Sequence, residues 1–129
     1  MKTKYMAALS LLAGVAIGAV AVQGLHAQAA KLKAYSIGEE EALDSSALSA
    51  YVPGIREAIL QHHGKSLRTI GGRVVEVEGA APPESVAIVE WDSVDDALAF
   101  YKSDVWKASQ AQRDKAYKII RRYIVETEK

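Results

Sequence analysis

SVAIVEWDSVDDALAFY, residues 85–101, contains the strand and the helix from which the rest of the fold can be worked out. Side chains alternate between the two faces of a strand. In residues 85–91 both alternating sets are largely apolar, with Val86, Ile88 and Glu90 on one face and Ala87, Val89 and Trp91 on the other. This pattern is typical of a strand that is covered on both sides.

The residues after this strand predict a helical region and a final strand. Ser93 with Asp96 three residues later resembles a capping box, and apolar residues follow at helical spacing as far as Tyr101. After a short break at residues 102–104, a second helical stretch runs through Trp106 to about Lys115. YKIIRRYIVE, residues 117–126, predicts a strand that presents on one face Tyr117, Ile119, Arg121, Tyr123 and Val125.

The residues near the start of the domain predict a strand and a helix. LKAYSIG, residues 32–38, is the first strand, and the acidic run 39–41 after it is interpreted as a solvated loop or the approach to a helix. Asp44, Ser45 or Ser46 then caps a helix, which Pro53 is expected to kink or divide. The helix is predicted to end at Gly64, because glycine adopts the left-handed conformation most easily.

Two glycines predict a hairpin before the strand at 85–91. Residues 65–70 and 73–78 form its arms, since a type I′ turn needs positive φ at two central positions, here Gly71 and Gly72. The element order then predicts an α+β fold of the ferredoxin-like βαββαβ type, with helices on one face of an antiparallel sheet. Because residues 85–91 are apolar on both faces, we expect the other face to pack against a second copy as a homodimer.

Residues 1–29 are typical of a secretory signal peptide. Lys2 and Lys4 precede a 17-residue apolar run at 6–22, and Ala27 and Ala29 fit the A-x-A rule. Cleavage there leaves one domain, residues 30–129, in the periplasm or secreted; an uncleaved run would instead anchor the chain in a membrane. The chain has no cysteine, and its 16 basic and 16 acidic residues balance, which argues against a nucleic-acid partner.

Two histidines, His62 and His63, are the only ones in the predicted mature domain. Neighbours on a helix point about 100° apart, so they are poorly placed to share one metal ion. An imidazolium near a helix C-terminus also has a purely structural role. His63 is the better candidate for lining a cavity, and a single histidine suffices as a haem ligand although no other residue supports haem.

Glu90 is the main candidate for acid–base chemistry, because a carboxylate on a strand with two apolar faces must reach the rim or be paired. Arg68 on the neighbouring strand is its expected partner, although a structural ion pair explains the same pattern. Arg113 either reaches the same cavity or is solvated, and Tyr35 is a candidate pocket residue more typical of the core. No phosphate loop, nucleophile elbow or metal cluster occurs in the sequence, so neither a metal nor a cofactor is predicted.

A family resemblance rests on DSSALSAY, HHG, IGGRVVEVEG and ESVAIVEWDSVDDALAFYKSDVWKA. These segments resemble the family called domain of unknown function 1330, within the dimeric α/β-barrel superfamily, from about residue 33 to the C-terminus. The chain departs from the family pattern at Leu48, Ile70 and Asp92, where tyrosine, arginine and proline are usual. The resemblance implies the fold and the dimer, and we expect Arg68 to supply, from a displaced position, the charge of the arginine that is missing from an anion site.

Together these features predict an exported homodimer that binds a small ligand or has a structural role. The alternative is a cofactor-independent enzyme, of oxygenase or isomerase type, acting on a small organic substrate in the barrel cavity. Cofactor-free monooxygenases, isomerases and haem enzymes all occur in the superfamily, so the resemblance does not choose between these functions. The enzyme hypothesis requires at least two of His63, Arg68 and Glu90 to converge within hydrogen-bonding distance.

Overall fold

The computed structural model describes residues 31–129, so the predicted signal peptide lies outside it. The described residues form a four-stranded antiparallel sheet and four helices: β1 (Ala34–Ala42), α1 (Ser45–Gln61), β2 (Lys65–Ser66), β3 (Ser85–Trp91), α2 (Val94–Tyr101), α3 (Asp104–Ala108), α4 (Gln110–Ala116) and β4 (Tyr117–Glu126). The strand order is β2-β3-β1-β4, which confirms the predicted α+β fold with its ferredoxin-like topology. In this range no helix is long and apolar enough to span a membrane.

The core lies between the helices and one face of the sheet. The side chain of Trp91, at the end of β3, is 1% exposed, and its ring centroid is 5.2 Å from that of Phe100 on α2. The indole nitrogen of Trp91 donates a hydrogen bond to the hydroxyl of Ser36 at 2.9 Å, and the hydroxyl of Tyr101 bonds the same oxygen at 2.8 Å. The strand predicted at 85–91 therefore positions the largest core residue and ties it to β1.

The two main helices begin at predicted caps. The carboxylate of Asp44 accepts from the backbone N–H of Ala47 at 2.7 Å, and the hydroxyl of Ser93 accepts from that of Asp96 at 3.1 Å. Pro53 does not divide α1 into two helices. Ser49, whose carbonyl loses its helical donor there, is exposed to solvent, so water can take that donor's place.

The end of α1 differs from the prediction in which residue is left-handed. His63 has a φ of +65°, and its N–H bonds the carbonyl of Leu60 while that of Gly64 bonds Ile59. This pair of bonds is a Schellman motif with histidine in the position that glycine usually takes. Gly64 is needed for space instead, because a Cβ there would lie 2.6 Å from the ring of Trp91.

The predicted hairpin is wrong in its second arm. Residues 73–78 form no strand, and the segment from Lys65 to Thr69 pairs with β3 instead. Arg68 has a φ of +58°, which interrupts the extended chain, and the hydroxyl of Thr69 takes the place of a backbone donor to Val86. The turn runs from Thr69 to Gly72, with positive φ at Gly71 alone, so it lacks the two positive φ values of a type I′ turn.

Strand β1 extends through the acidic run that the sequence suggested was solvated, and a bulge shifts β4 against it. Glu39 pairs with Arg121 but Glu40 pairs with Ile119, so Ile120 is an extra residue. On the N-terminal side of the bulge, residues 117–119 point to the opposite faces from those that the alternation of the rest of β4 would give them. Tyr117 and Ile119 were predicted to share a face with Arg121; the structure places them on the helix side instead.

Candidate functional site

A small cavity between the helices and the sheet forms the centre of the candidate site. This inner pocket has a volume of about 40 Å³, which is room for only a few water molecules. Its wall includes three polar side chains that come from β1 and β4, namely Glu40, Tyr117 and Arg122. A wider groove of about 460 Å³, the β4 groove, shares Trp106, Tyr117 and Arg122 with the inner pocket. These shared residues are where a molecule in the groove would meet the pocket wall.

Glu40 and Arg122 form an ion pair inside this wall. The carboxylate of Glu40 is 2% exposed and accepts a hydrogen bond from Nη2 of Arg122 at 3.2 Å. The same nitrogen donates to the hydroxyl of Tyr117, also at 3.2 Å. Burial raises the pKa of the Glu40 carboxyl above its usual range, and the charge of Arg122 opposes that rise only in part.

Two guanidinium groups flank the indole ring of Trp106. The central carbon of Arg113 lies 3.6 Å from the ring centroid, and that of Arg122 lies 5.1 Å from it. Arg113 also donates hydrogen bonds to the carbonyl of Trp106 and to the hydroxyl of Ser109. Arg113, a predicted candidate, is thus fixed along the groove beside a tryptophan.

Gly38 makes room for Arg122 on the sheet. A Cβ at Gly38 would lie 2.7 Å from Nη1 of Arg122 and 3.1 Å from the carboxylate of Glu40. Any larger residue there would displace the guanidinium. The guanidinium of Arg122 can therefore occupy this position only because Gly38 has no side chain.

Glu90, the leading sequence candidate, lies on the opposite face of the sheet. Its carboxylate accepts a hydrogen bond from Lys33 at 2.6 Å and one from the hydroxyl of Tyr35 at 3.1 Å. The expected pairing with Arg68 is therefore wrong. The bonds from Lys33 and Tyr35 hold the pKa of the Glu90 carboxyl below its usual range, and the bond to Glu90 raises the pKa of the Tyr35 hydroxyl. A carboxylate stabilised in its charged form is a weak general base.

His63 and Arg68 are both exposed, and neither lies beside Glu90. Arg68 lines a shallow groove with Arg56 and Lys65 at the outer edge of the sheet. The three residues named for the enzyme hypothesis therefore do not converge. Within residues 31–129 there is also no group of three histidine, aspartate or glutamate side chains placed to hold a metal ion.

The site residues predicted from the sequence did not include Glu40, Tyr117 or Arg122. Glu40 belongs to an acidic run that was interpreted as a solvated loop or the approach to a helix, yet it lies in β1 and is buried. Arg122 stands between Ile120 and Ile124 in the last strand, and a charge between apolar residues on a predicted strand was the available signal. Its partner was not predictable, because the bulge in β4 decides which residues face each other.

On the sheet face away from the helices, nine residues of β1, β3 and β4 form a block that is here called the open face, and Lys65 of β2 lies beside it, opposite Glu90. The register places them in three rows: Glu90, Tyr35 and Val125; Ile88, Ile37 and Tyr123; Val86, Glu39 and Arg121. Tyr123 is 41% exposed and Val125 is 48% exposed. The charges at both ends are paired, Glu39 with Arg121 and Glu90 with Lys33. The open face is thus apolar in its middle and close to neutral overall.

Comparison with known proteins gives a family but no activity. The family model described as domain of unknown function (DUF1330) matches residues 33–127. The chain is similar to the crystal structure of a protein of unknown function from Rhodopseudomonas palustris, with a TM-score of 0.56 and 15% identity over 81% of this chain and 90% of that one. No curated protein matches. At this identity the structural likeness supports the fold alone.

Proposed function

The chain belongs to the family of domain of unknown function DUF1330. We propose that it is an exported homodimer that binds a small molecule in the β4 groove and its inner pocket. The observation that favours ligand binding is the ion pair between the buried Glu40 and the partly exposed Arg122. Burying two charges costs more than filling the same space with apolar side chains, so such a pair does not by itself favour stability. A role in binding a ligand would explain why the chain keeps an ion pair that does not by itself favour stability.

The shape of the site supports the same proposal. Trp106, Tyr117 and Arg122 line both a small, largely apolar pocket and a groove of about 460 Å³, which is in the size range of small-molecule sites. Few polar groups surrounded by aromatic side chains are the usual lining of such sites.

Dimerisation is proposed from the open face. Its middle row, Ile88, Ile37 and Tyr123, is apolar, and Tyr123 is 41% exposed. Because the charges at both ends are already paired, a second copy would meet no net repulsion. Two such faces packed together bury apolar rows that water solvates poorly.

Export is proposed from the leader sequence alone, residues 1–29. N-terminal sequencing of protein recovered from the periplasm tests it, and a chain that starts near Ala30 is the expected result. An intact Met1 would contradict cleavage.

The enzyme alternative has no support in the geometry, because His63, Arg68 and Glu90 lie apart and Glu90 is held ionised by Lys33 and Tyr35. We therefore propose no reaction.

Native mass spectrometry of protein purified gently from its own host tests both the dimer and the ligand. We expect a dimer mass with an added small mass that disappears on denaturation. The Arg122→Gln variant should lose the added mass, and the matched control Arg121→Gln, which changes the neighbouring arginine on the open face, should keep it. Equal added mass in both variants would contradict the site, and a monomer mass would contradict the dimer.

A further inference from the structure

The β4 groove has an excess of positive charge. Three basic residues line it, Arg113, Lys118 and Arg122, against a single acidic one, Asp114. Within residues 31–129 neither Arg113 nor Lys118 has a carboxylate within 4.0 Å, since the ion pairs there involve Lys33, Arg121 and Arg122. Even with Glu40 behind Arg122 counted, the cations outnumber the acids, and this balance favours an anionic ligand.

Arg122 still has hydrogen-bond donors to offer. A guanidinium has five N–H groups on three nitrogens. The bonds from Arg122 to Glu40 and to Tyr117 both start at Nη2. The side chain of Arg122 is 20% exposed, and neither of these two bonds uses Nη1 or Nε. Either group can donate a single charge-assisted hydrogen bond to a carboxylate oxygen.

The rest of the groove is suited to an organic group. Leu43, Trp106 and Ile119 supply apolar surface next to the cations. Leu43 is 56% exposed, so a ligand that covered it would remove apolar surface from water. An inorganic anion would leave this surface uncovered. The groove thus combines a charged end with an apolar wall.

We propose that the ligand of the β4 groove is a small organic acid, whose carboxylate binds the guanidinium of Arg122 and whose apolar body packs against Leu43 and Ile119. This inference rests on the proposed function and adds the chemical class of the ligand. Arg113 and Lys118 strengthen the positive field, and Arg113 also holds the ring of Trp106 in place.

The test is a fluorescence titration of the purified full protein with four probes: benzoate, hexanoate, benzamide and inorganic phosphate. Trp106 lines the groove, whereas Trp91 is buried in the core and outside the groove, so Trp106→Phe identifies the reporting residue. Benzoate and hexanoate should bind saturably. Benzamide, which keeps the ring and loses the charge, should bind at least about tenfold more weakly, because hydrogen bonds to charged groups are the stronger ones.

Two substitutions locate the contact. Arg122→Gln should weaken benzoate binding by about tenfold or more, and Arg121→Gln, the same change on the open face, should leave it within about twofold. If circular dichroism shows that Arg122→Gln does not fold, the Gly38→Ala variant is used in its place. The added methyl group displaces the guanidinium of Arg122 without removing its charge. It should weaken benzoate binding as well.

Equal binding of benzoate and benzamide, or equal loss in both arginine variants, would overturn the organic acid and leave the proposed function standing. Phosphate binding as strong as benzoate binding would overturn the role of the apolar wall. If no probe binds and the native protein also has no added mass, the proposed function fails with it.

Discussion

At the scale of single residues, Glu40 shows how far an acidic run can mislead. Three successive glutamates predict exposure, yet Glu39 and Glu40 are both buried, and alternation along β1 turns Glu40 toward the helices. The residue type was visible in the sequence, but its burial depends on how far β1 continues and on the neighbour that β4 supplies. The same limit applies to Arg122, whereas Trp91 as a core residue follows from its strand alone.

The pH dependence of stability should report the burial of Glu40. Because its pKa is raised in the folded state, the stability that it contributes is complete below the ordinary value of 4.5 and is lost as pH rises through the folded pKa. Urea unfolding of the wild type and of Glu40→Gln between pH 4 and 8 should show the variant gaining stability relative to the wild type as pH increases. A difference that stays constant with pH would contradict this.

Gly64 should be intolerant of a side chain. Gly64→Ala places a methyl group 2.6 Å from Trp91 and 2.7 Å from Ile59, and overpacking of this kind costs about 1–3 kcal/mol. Gly54→Ala is the matched control, because nothing lies within 4 Å of its Cβ in the helix, and it should stabilise by about 0.5–1 kcal/mol. Urea unfolding followed by circular dichroism measures both, and a neutral Gly64→Ala would show that Trp91 can move aside.

At the scale of elements, the features that depend on residues close together in the sequence were predicted correctly. Asp44 and Ser93 cap their helices as predicted, because a capping bond spans only three residues. The strands at 85–91 and 117–126 were also predicted correctly from alternation and composition. The hairpin prediction was wrong because the first arm, from Lys65, forms its hydrogen bonds with β3, which is distant in sequence, and not with residues 73–78. Pairing is a property of two segments, so neither shows it alone.

The end of α1 offers a stabilising substitution. His63 occupies a left-handed conformation that costs a non-glycine residue about 1 kcal/mol, so His63→Gly should raise the free energy of unfolding by about 0.5–1 kcal/mol. Gln61→Gly, two residues earlier and inside the helix, should lower it by about 1 kcal/mol. Chemical denaturation distinguishes the two, and a loss of stability in His63→Gly would point to a contact of the imidazole that outweighs the strain.

At the scale of the whole molecule, the two faces of the sheet have separate tasks in the proposed function. The helix side contains the ligand groove, and the open face is the proposed dimer contact. The apolar pattern of 85–91 indicated this division, because one of its faces contributes Trp91 to the core and the other contributes Ile88 to the open face. Alternation along β4 also indicated that the neighbouring arginines lie on different faces, and the structure places Arg121 on the open face and Arg122 at the groove.

The dimer should depend on the middle of the open face. Ile37→Lys puts a charge into the middle row, which two apposed faces would have to bury, and it should give a monomer mass by light scattering at micromolar concentration. Leu60→Lys adds the same charge on α1, where the side chain is already 65% exposed, and should remain a dimer. A dimer in both variants would show that copies associate elsewhere.

The bulge in β4 determines where this strand can lose a single residue. Deleting one residue within an ordinary strand turns every following side chain to the opposite face. Deleting Ile120 would only remove the extra residue: Ile119 and Arg121 already face consecutive partners on β1, so all flanking side chains keep their present faces. Position 120 is therefore where a single-codon deletion in this strand should be tolerated, while the same deletion at Tyr123 should abolish folding.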